Sequence, residues 1–212
     1  MSSVAMYKAL EMLGVKAAEV TFSCYQNSRV EEAQMQLCRQ IANADLTISD
    51  ASCQDHIMAV MHMFTICALK GTAKRNLHML GQAIVYGLQT DILDPDKFKS
   101  IENTVADLSR EEVLVLARYY ACVKEEKSSI DLDNSENEAA GSKAWLRIVD
   151  EFVPNVFSTP EYLSAILGGL MRTGLVRGIP TLGGMSYKFT VLMDEICEFI
   201  DMDKAINEAD VY

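Results

Sequence analysis

The sequence predicts a mostly α-helical protein in two parts: a helical bundle over residues 1–108, and a smaller module over 109–205 that contains one β-hairpin. Apolar residues recur at helical spacing along most of the chain, and no stretch before residue 150 alternates as a strand does. The exception is a Gly/Pro-rich segment over 174–190. It lies between two amphipathic helices and is typical of a hairpin.

The first part is predicted to be helical throughout. Its apolar stripes predict helices over 1–14, 29–45, 53–70, from about 73 to 88, and 98–105. Thr47 and Asp50 resemble a capping box before the third of these helices, and Lys70 followed by Gly71 indicates where that helix ends.

The second part begins with a clear helix start. Ser109 and Glu112 have the spacing of a capping box, which predicts a helix over 110–124. The next residues, 125–142, are acidic or small with almost nothing apolar, so they predict an exposed acidic loop. A helix over 143–152 follows, and residues 206–212 are predicted to form an acidic tail.

Residues 158–200 contain the clearest sequence signals for secondary structure in the chain. A helix over 159–173 is predicted because Thr159 can cap it, a proline follows, and Gly174 stands where a left-handed residue usually ends a helix. Residues 175–177 and 187–189 then predict two short strands around a loose Gly/Pro-rich tip. A final amphipathic helix follows the second strand.

Residues 109–200 resemble the winged-helix superfamily. The resemblance rests on Leu167-x-x-Leu170-x-x-x-Gly174-Leu175-Val176 and on Tyr187-x-Phe189-Thr190. It implies three helices, over 110–124, 143–152 and 159–173, and a wing over 174–190. It covers under half of the chain, and the acidic insert between the first two helices departs from the usual pattern. The helical first half followed by this module also resembles helical proteins of bacteria and phages, a likeness that implies no activity.

Charge is unevenly distributed along the chain. The net charge is −11, yet residues 152–191 carry one acidic and three basic residues and form the one net-basic stretch. Residues 192–212 carry seven acidic residues and one basic residue. Nucleic-acid-binding domains usually show a broader basic stripe, so the sequence favours a protein contact over a DNA contact.

The candidate contact residues follow from the winged-helix resemblance. In a DNA-binding member the third helix enters the major groove and the wing contacts phosphates. The residues that would contact DNA or a partner are Ser164, Gly168, Arg172, Arg177 and Lys188. Of the outward residues on the third helix, only Arg172 is suited to reading base edges, and three basic groups release few counterions.

Gly168 and Gly169 stand next to each other inside the predicted third helix. Each glycine costs a helix about 1 kcal/mol relative to alanine. The pair therefore indicates either close packing by another helix, within the chain or across a dimer, or a flat patch where a partner docks.

Catalytic and metal-binding signatures are not found in the sequence. The segment 178–184 lacks the Lys-Ser/Thr pair of a phosphate-binding loop, and the three histidines and six cysteines have no metal-ligand spacing. We therefore predict no catalytic residue, no cofactor and no metal. Without a secretory signal or a membrane-spanning run, the sequence predicts a cytoplasmic protein with reduced cysteines and no membrane contact.

These observations favour a non-catalytic interaction protein that uses a winged-helix module to contact a protein partner or a second copy of itself. We expect a homodimer that weakens when residues 1–28 are removed, because a short terminal helix over 1–14 needs a cover for its apolar side. The alternative is a DNA-binding transcriptional regulator in which the helical part dimerises or senses a signal.

Overall fold

The computed structural model describes residues 18–44, 54–92, 94–128, 136–181, 184–202 and 204. Over these residues the protein is mostly α-helical with one small two-stranded antiparallel sheet, which confirms the predicted fold class. The chain divides into two compact units, Met1–Lys99 and Ser100–Tyr212, and the division falls ahead of the predicted boundary at 108. The predicted helix over 1–14, the Thr47–Asp50 capping box and the acidic tail lie outside the described residues.

Three helices make up most of the described part of the first unit: α1 (Ala18–Asn43), α2 (Gln54–Lys70) and α3 (Lys74–Gln89). Helix α1 packs against α2 and α3, and α2 packs against α3. The predicted end of α2 is confirmed, because Lys70 is its last residue and Gly71 has a φ of +90°. The core of this unit includes Ala33, Leu37, Val60, Phe64, Cys67, Ala68, Leu77, Met79, Leu80, Ala83 and Ile84.

Helix α1 carries a polar stripe toward α3 beside its apolar one. Arg29 donates to the Thr72 carbonyl, and Glu32 forms an ion pair with Lys74. One turn further on, the amide nitrogen of Gln36 lies 2.8 Å from His78 Nδ1. The contact between α1 and the start of α3 is therefore made by hydrogen bonds and charge.

The second unit contains most of the remaining elements, while α4 (Pro95–Val105) crosses the division. Helix α5 (Arg110–Ser128) packs against α6 (Glu136–Phe152) and α7 (Pro160–Leu170). A 3₁₀ turn (Met171–Thr173) then leads into β1 (Val176–Thr181), β2 (Gly184–Phe189) and α8 (Val191–Phe199). Helices α6 and α8 pack on β2, and α7 contacts β1.

The predicted capping box at the start of α5 is confirmed. The Ser109 amide donates to Glu112 Oε2 at 2.8 Å, and the Glu112 amide donates to the Ser109 hydroxyl at 3.1 Å. Each side chain thus satisfies one backbone N–H that the first turn of a helix leaves unpaired.

The prediction of an acidic loop over 125–142 was wrong at both ends. Helix α5 continues to Ser128 and α6 begins at Glu136, and residues 129–135 lie outside the described part. Gly141 is buried inside α6, where an added Cβ would lie 3.3 Å from the Tyr187 carbonyl oxygen. The absence of a side chain at Gly141 permits close packing of α6 against β2. The small residues of this segment were therefore wrongly interpreted as a loop.

Two ion pairs join α5 and α6 along their antiparallel contact. Arg118 donates to both carboxylate oxygens of Glu151 at 2.8 Å, and Arg147 pairs with Glu125. The acidic end of α5 is therefore used in a helix–helix contact. Exposed pairs of this kind contribute at most about 1 kcal/mol each.

Tyr119 and its neighbour Tyr120 on α5 both pack inside the second unit. The Tyr119 ring is fully buried, and its hydroxyl donates to the Tyr187 carbonyl at 2.6 Å. Tyr120 is half-buried against Phe189, with ring centroids 5.5 Å apart. Because α5 is covered by both α6 and α7, its buried stripe is wider than one helical face.

The hairpin is longer than the sequence predicted. β1 and β2 pair in antiparallel register from Val176 opposite Phe189 to Thr181 opposite Gly184, so only residues 182–183 lie between the strands. The Gly/Pro-rich composition suggested a loose tip, but glycine and proline are both accommodated in a two-stranded ribbon because every strand in it is an edge.

Candidate functional site

Helix α7 positions one side of the candidate surface. Leu163, Leu167 and Leu170 are fully buried and fix which face of the helix points into the unit. The predicted start is confirmed, since the Thr159 hydroxyl accepts from the Tyr162 amide at 3.3 Å and a proline follows it. The predicted stop is confirmed as well, because Gly174 adopts a φ of +75° after the 3₁₀ turn.

Arg172 does not stand free on the outer face of α7. Its guanidinium binds both carboxylate oxygens of Glu112 and also donates to the Gly169 carbonyl at 3.0 Å. The side chain remains 50% exposed, whereas that of Glu112 is 11% exposed. The group selected as a base-reading residue therefore anchors the end of α7 to the start of α5.

The environment of Glu112 favours its charged form. Burial raises the pKa of this carboxyl, but the hydrogen bonds from Arg172 and the Ser109 amide outweigh burial and hold the pKa below its usual range. The hydrogen bond with Glu112 in turn raises the pKa of the Arg172 guanidinium. This ion pair is therefore present throughout the neutral pH range.

Ser164 was placed among the outward residues of α7, and the structure corrects this. It is half-buried, and its hydroxyl lies 3.0 Å from the Tyr187 hydroxyl, which also donates to the Ser164 carbonyl at 3.1 Å. Ser164 thus joins α7 to β2. The prediction was wrong because helical spacing shows only which residues of a helix point away from its apolar face. It does not show which of those residues a distant segment, here the hairpin, packs against.

The two glycines of α7 have different surroundings. A Cβ at Gly169 would lie 3.4 Å from Glu112 Oε1, whereas a Cβ at Gly168 would have no neighbouring atom within 4 Å. Gly168 is also exposed. Close packing by another helix of this chain therefore does not account for Gly168 among the described residues.

Two exposed methionines, Met171 three residues after Gly168 and Met185 on β2, were not predicted from the sequence as site residues. A Cβ at Gly178 of β1 would lie 2.9 Å from Met185 Sδ and 3.3 Å from Met171 Sδ. Met171 is 43% exposed and Met185 is 48% exposed. Both side chains therefore meet over Gly178 while still facing solvent, a pairing that only the register of the hairpin creates.

Gly168, Met171, Gly178 and Met185 lie on the side where α7 and the 3₁₀ turn meet the hairpin, and we term this partly exposed surface the Gly168 notch. Ser164, Gly168 and Met171 follow one another at i, i+4 and i+7, so they share one side of the helix. The first contacts the hairpin through Tyr187 and the last contacts it beside Gly178. An added Cβ at Gly168, between them, would meet no atom within 4 Å, and Gly168 is exposed to solvent.

Arg177 and Lys188 form a basic pair on the face of the hairpin opposite Gly178, Tyr187 and Met185. They stand directly opposite each other in the register of β1 and β2, one pair along from Gly178 and Tyr187. Both are exposed, and neither forms an ion pair with a described residue. Two adjacent positive charges on one face of a narrow ribbon are thus available to a binding partner.

The remaining reactive groups do not converge on the notch. Over the part of the chain that is described, no group of three or more His, Cys, Asp and Glu side chains is placed to hold a metal ion. Cys38, Cys67, Cys122 and Cys197 are free thiols. Burial raises the pKa of Cys197 to about 11, so its thiol is protonated at neutral pH.

Comparison of this chain with protein-family models, curated proteins and solved structures produced no match. None of the helices over the described residues combines the length and the apolar character that crossing a bilayer requires. The geometry of the Gly168 notch is therefore the basis for a functional proposal.

Proposed function

We propose that this protein is a non-catalytic interaction protein whose second unit binds another protein through the Gly168 notch. The observation that carries the proposal is the exposed glycine within α7, next to two exposed methionines. Glycine in an exposed helix costs about 1 kcal/mol relative to alanine. A partner that packs closely against the backbone of α7 would explain why glycine stands at this position despite its cost to helix stability.

The nature of the lining supports a protein partner. Methionine side chains are flexible and polarisable, so they adapt to apolar groups of different shape and are frequent at protein-binding surfaces. The element order, three helices followed by an antiparallel hairpin, supports the winged-helix module that we propose, and in this proposal the module serves protein contact. A cytoplasmic location and a reduced state of the cysteines belong to the same proposal.

Affinity capture from the native cell tests this function when it is paired with a variant that fills the notch. Gly168→Leu adds a side chain where no described atom stands in the way. We expect at least one protein to be retained by the wild-type chain and lost with Gly168→Leu. Gly168→Ala, which adds only a methyl group, is the matched control and should retain most of the binding. Identical retained proteins for all three baits would contradict the proposal.

A DNA-binding regulator is the second candidate, and the Arg177–Lys188 pair is the observation that favours it. Against it, Arg172 is engaged by Glu112 and Glu161 is exposed on the same helix. Two or three phosphate contacts give little counterion release, so we expect binding to random duplex DNA to be weaker than about 1 μM at physiological salt. Tight binding in a gel shift, abolished by Arg177→Ala with Lys188→Ala, would favour DNA instead.

A further inference from the structure

Met171 and Met185 bring two thioethers to one point of the second unit. Met171 belongs to the 3₁₀ turn that follows α7, and Met185 belongs to β2. A Cβ at Gly178 would lie 3.3 Å from the sulfur of Met171 and 2.9 Å from the sulfur of Met185, so both sulfurs pack on the backbone of β1. Side chains from two different elements therefore meet where a side chain at residue 178 would displace them.

Both methionines are accessible to small molecules in solution. Met171 is 43% exposed and Met185 is 48% exposed, whereas Met79 and Met193 are buried. Met35 is exposed as well, but it stands on α1 in the first unit. Accessible methionine sulfurs are the ones that oxidants reach in a folded protein. The pair over Gly178 thus combines access to an oxidant with a position between two elements.

Oxidation by a peroxide converts a methionine from an apolar to a polar residue. A sulfur lone pair attacks one oxygen of hydrogen peroxide, the O–O bond breaks, and the second oxygen leaves as water together with both hydrogens. The sulfur loses two electrons and keeps the first oxygen as a sulfoxide, which methionine sulfoxide reductases convert back. A packed sulfoxide loses favourable hydration unless it finds a hydrogen-bond donor, so it is better placed in water than against Gly178.

We propose that Met171 and Met185 are a reversible oxidation site, at which sulfoxide formation by a peroxide releases the hairpin from the 3₁₀ turn around Gly178. The contact between the turn and β1 is apolar at this point, and it is weakened when the sulfurs become polar. The site requires no partner protein, so it is independent of the function proposed above.

Hydrogen bonds at the base of the hairpin confine the effect to the part beyond Gly178. The Thr190 hydroxyl donates to the Gly174 carbonyl at 2.6 Å, and the Thr190 amide donates to the Leu175 carbonyl at 3.1 Å. These bonds contain no sulfur and are not altered by the oxidant. The second unit therefore keeps its fold while the outer part of the hairpin opens more often.

Amide hydrogen exchange of the full chain, before and after treatment with hydrogen peroxide, tests the proposal. Mass spectrometry of peptides locates the sulfoxides, which we expect at Met171 and Met185 and not at the buried Met79 and Met193. Amides of residues 177–180 and 185–186 should then exchange roughly tenfold faster or more, because local opening requires less free energy. The Thr190 amide should keep its rate, and methionine sulfoxide reductases should restore the original rates.

Variants assign the change to the two sulfurs. Met171→Leu combined with Met185→Leu keeps apolar side chains of similar volume but cannot form a sulfoxide, so its exchange should stay slow after the same treatment. Met35→Leu combined with Met58→Leu removes two exposed methionines of the first unit and is the matched control, in which the acceleration should persist. Met185→Gln introduces a polar group without oxidation and should accelerate exchange in untreated protein.

Three results would overturn the proposal. Sulfoxides at Met35 and Met58 with unmodified Met171 and Met185 would show that the pair is not an oxidation site. Unchanged exchange with both sulfoxides present would show that oxidation does not release the hairpin. Equal acceleration in the double leucine variant would place the cause at another residue. The thermal midpoint of each untreated variant verifies its fold, and Met185→Leu alone replaces the double variant if that chain does not fold.

Discussion

Glu112 shows how one side chain can serve two structural roles. It completes the capping box of α5 through the Ser109 amide, and it binds the guanidinium of Arg172, which follows it by 60 residues. The first role can be predicted from the four-residue capping-box motif that begins at Ser109. The second joins the start of α5 to the end of α7, and it removes Arg172 from the groups that could read a base.

Glu112→Gln should separate these roles, because glutamine can still cap the helix but carries no charge for Arg172. We expect the free energy of unfolding at pH 7 to fall by about 1 kcal/mol, a modest loss because Arg172 is half exposed. Chemical denaturation of wild type and variant measures it. Glu111→Gln, an exposed neighbour in the same turn, is the control and should change stability by less than about 0.5 kcal/mol.

The pH dependence of that difference follows from the lowered pKa of Glu112. A carboxyl whose pKa is lower in the folded state stabilises the protein above its unfolded pKa of about 4.3, and this contribution is lost as the pH falls through the lower folded value. The gap between wild type and Glu112→Gln should therefore narrow below about pH 4. A gap of equal size at pH 3 and pH 7 would show that the carboxylate charge is not its cause.

A second prediction at the scale of a single residue concerns Gly168. Because a Cβ there meets no atom, Gly168→Ala should raise the free energy of unfolding by about 1 kcal/mol through helix propensity alone. Gly169→Ala is the matched comparison, and it should gain less because its Cβ would lie 3.4 Å from Glu112 Oε1. Thermal and chemical denaturation compare the two. Destabilisation by Gly168→Ala would mean that the glycine is required for folding, which would remove its value as an argument for binding.

At the scale of elements, the contact between α1 and α3 depends on a glycine that no sequence pattern distinguishes. The Gln40 amide nitrogen donates to the His78 carbonyl at 3.2 Å and lies 3.0 Å from His78 Nδ1. An added Cβ at Gly81 would lie only 2.0 Å from Gln40 Oε1. The glutamine therefore fits between the helices because residue 81 has no side chain.

Gly81→Ala should have opposite effects in two backgrounds. In the wild-type chain Gln40 must move and its hydrogen bonds are lost, so we expect a net destabilisation of about 1 kcal/mol even after the gain in helix propensity. In a Gln40→Ala chain the space is open, and the same substitution should stabilise by about 1 kcal/mol. Chemical denaturation of the four proteins completes the double-mutant cycle. Equal effects in both backgrounds would show that Gln40 does not occupy the space beside Gly81.

At the scale of the whole molecule, self-association remains a prediction. The sequence predicts a dimer that weakens on removal of residues 1–28, but α1 begins at Ala18, so that truncation would also remove part of a packed helix. Removal of residues 1–17 is the sharper test. We expect the full chain to be dimeric and the shortened chain to dissociate at protein concentrations on the order of 10 μM.

Sedimentation equilibrium measures this difference. Gly168→Leu in the full chain is the control, because it blocks the notch and leaves the N-terminal segment intact. If this variant dissociates while the shortened chain does not, the second copy binds at the notch. A 23.5 kDa species for the full chain at that concentration would contradict the dimer.

The sequence by itself determined the features that depend on residues within a turn of each other. The mostly α class, the Ser109–Glu112 capping box, the Thr159 cap and the left-handed Gly174 all follow from interactions across three or four residues, which a linear pattern records directly. The presence of a hairpin near 174–190 belongs to the same group. Its strand lengths do not, because they depend on pairing between the strands.

Only the tertiary structure decided what stands opposite each residue. Ser164 turned out to bind Tyr187, Arg172 to bind Glu112, and Gly141 to lie in a packed helix, since each contact joins segments far apart in the chain. The Gly168 notch has the same origin. Its methionines come from a 3₁₀ turn and a strand, and their meeting over Gly178 is set by the hairpin register, which sequence spacing along either element does not contain.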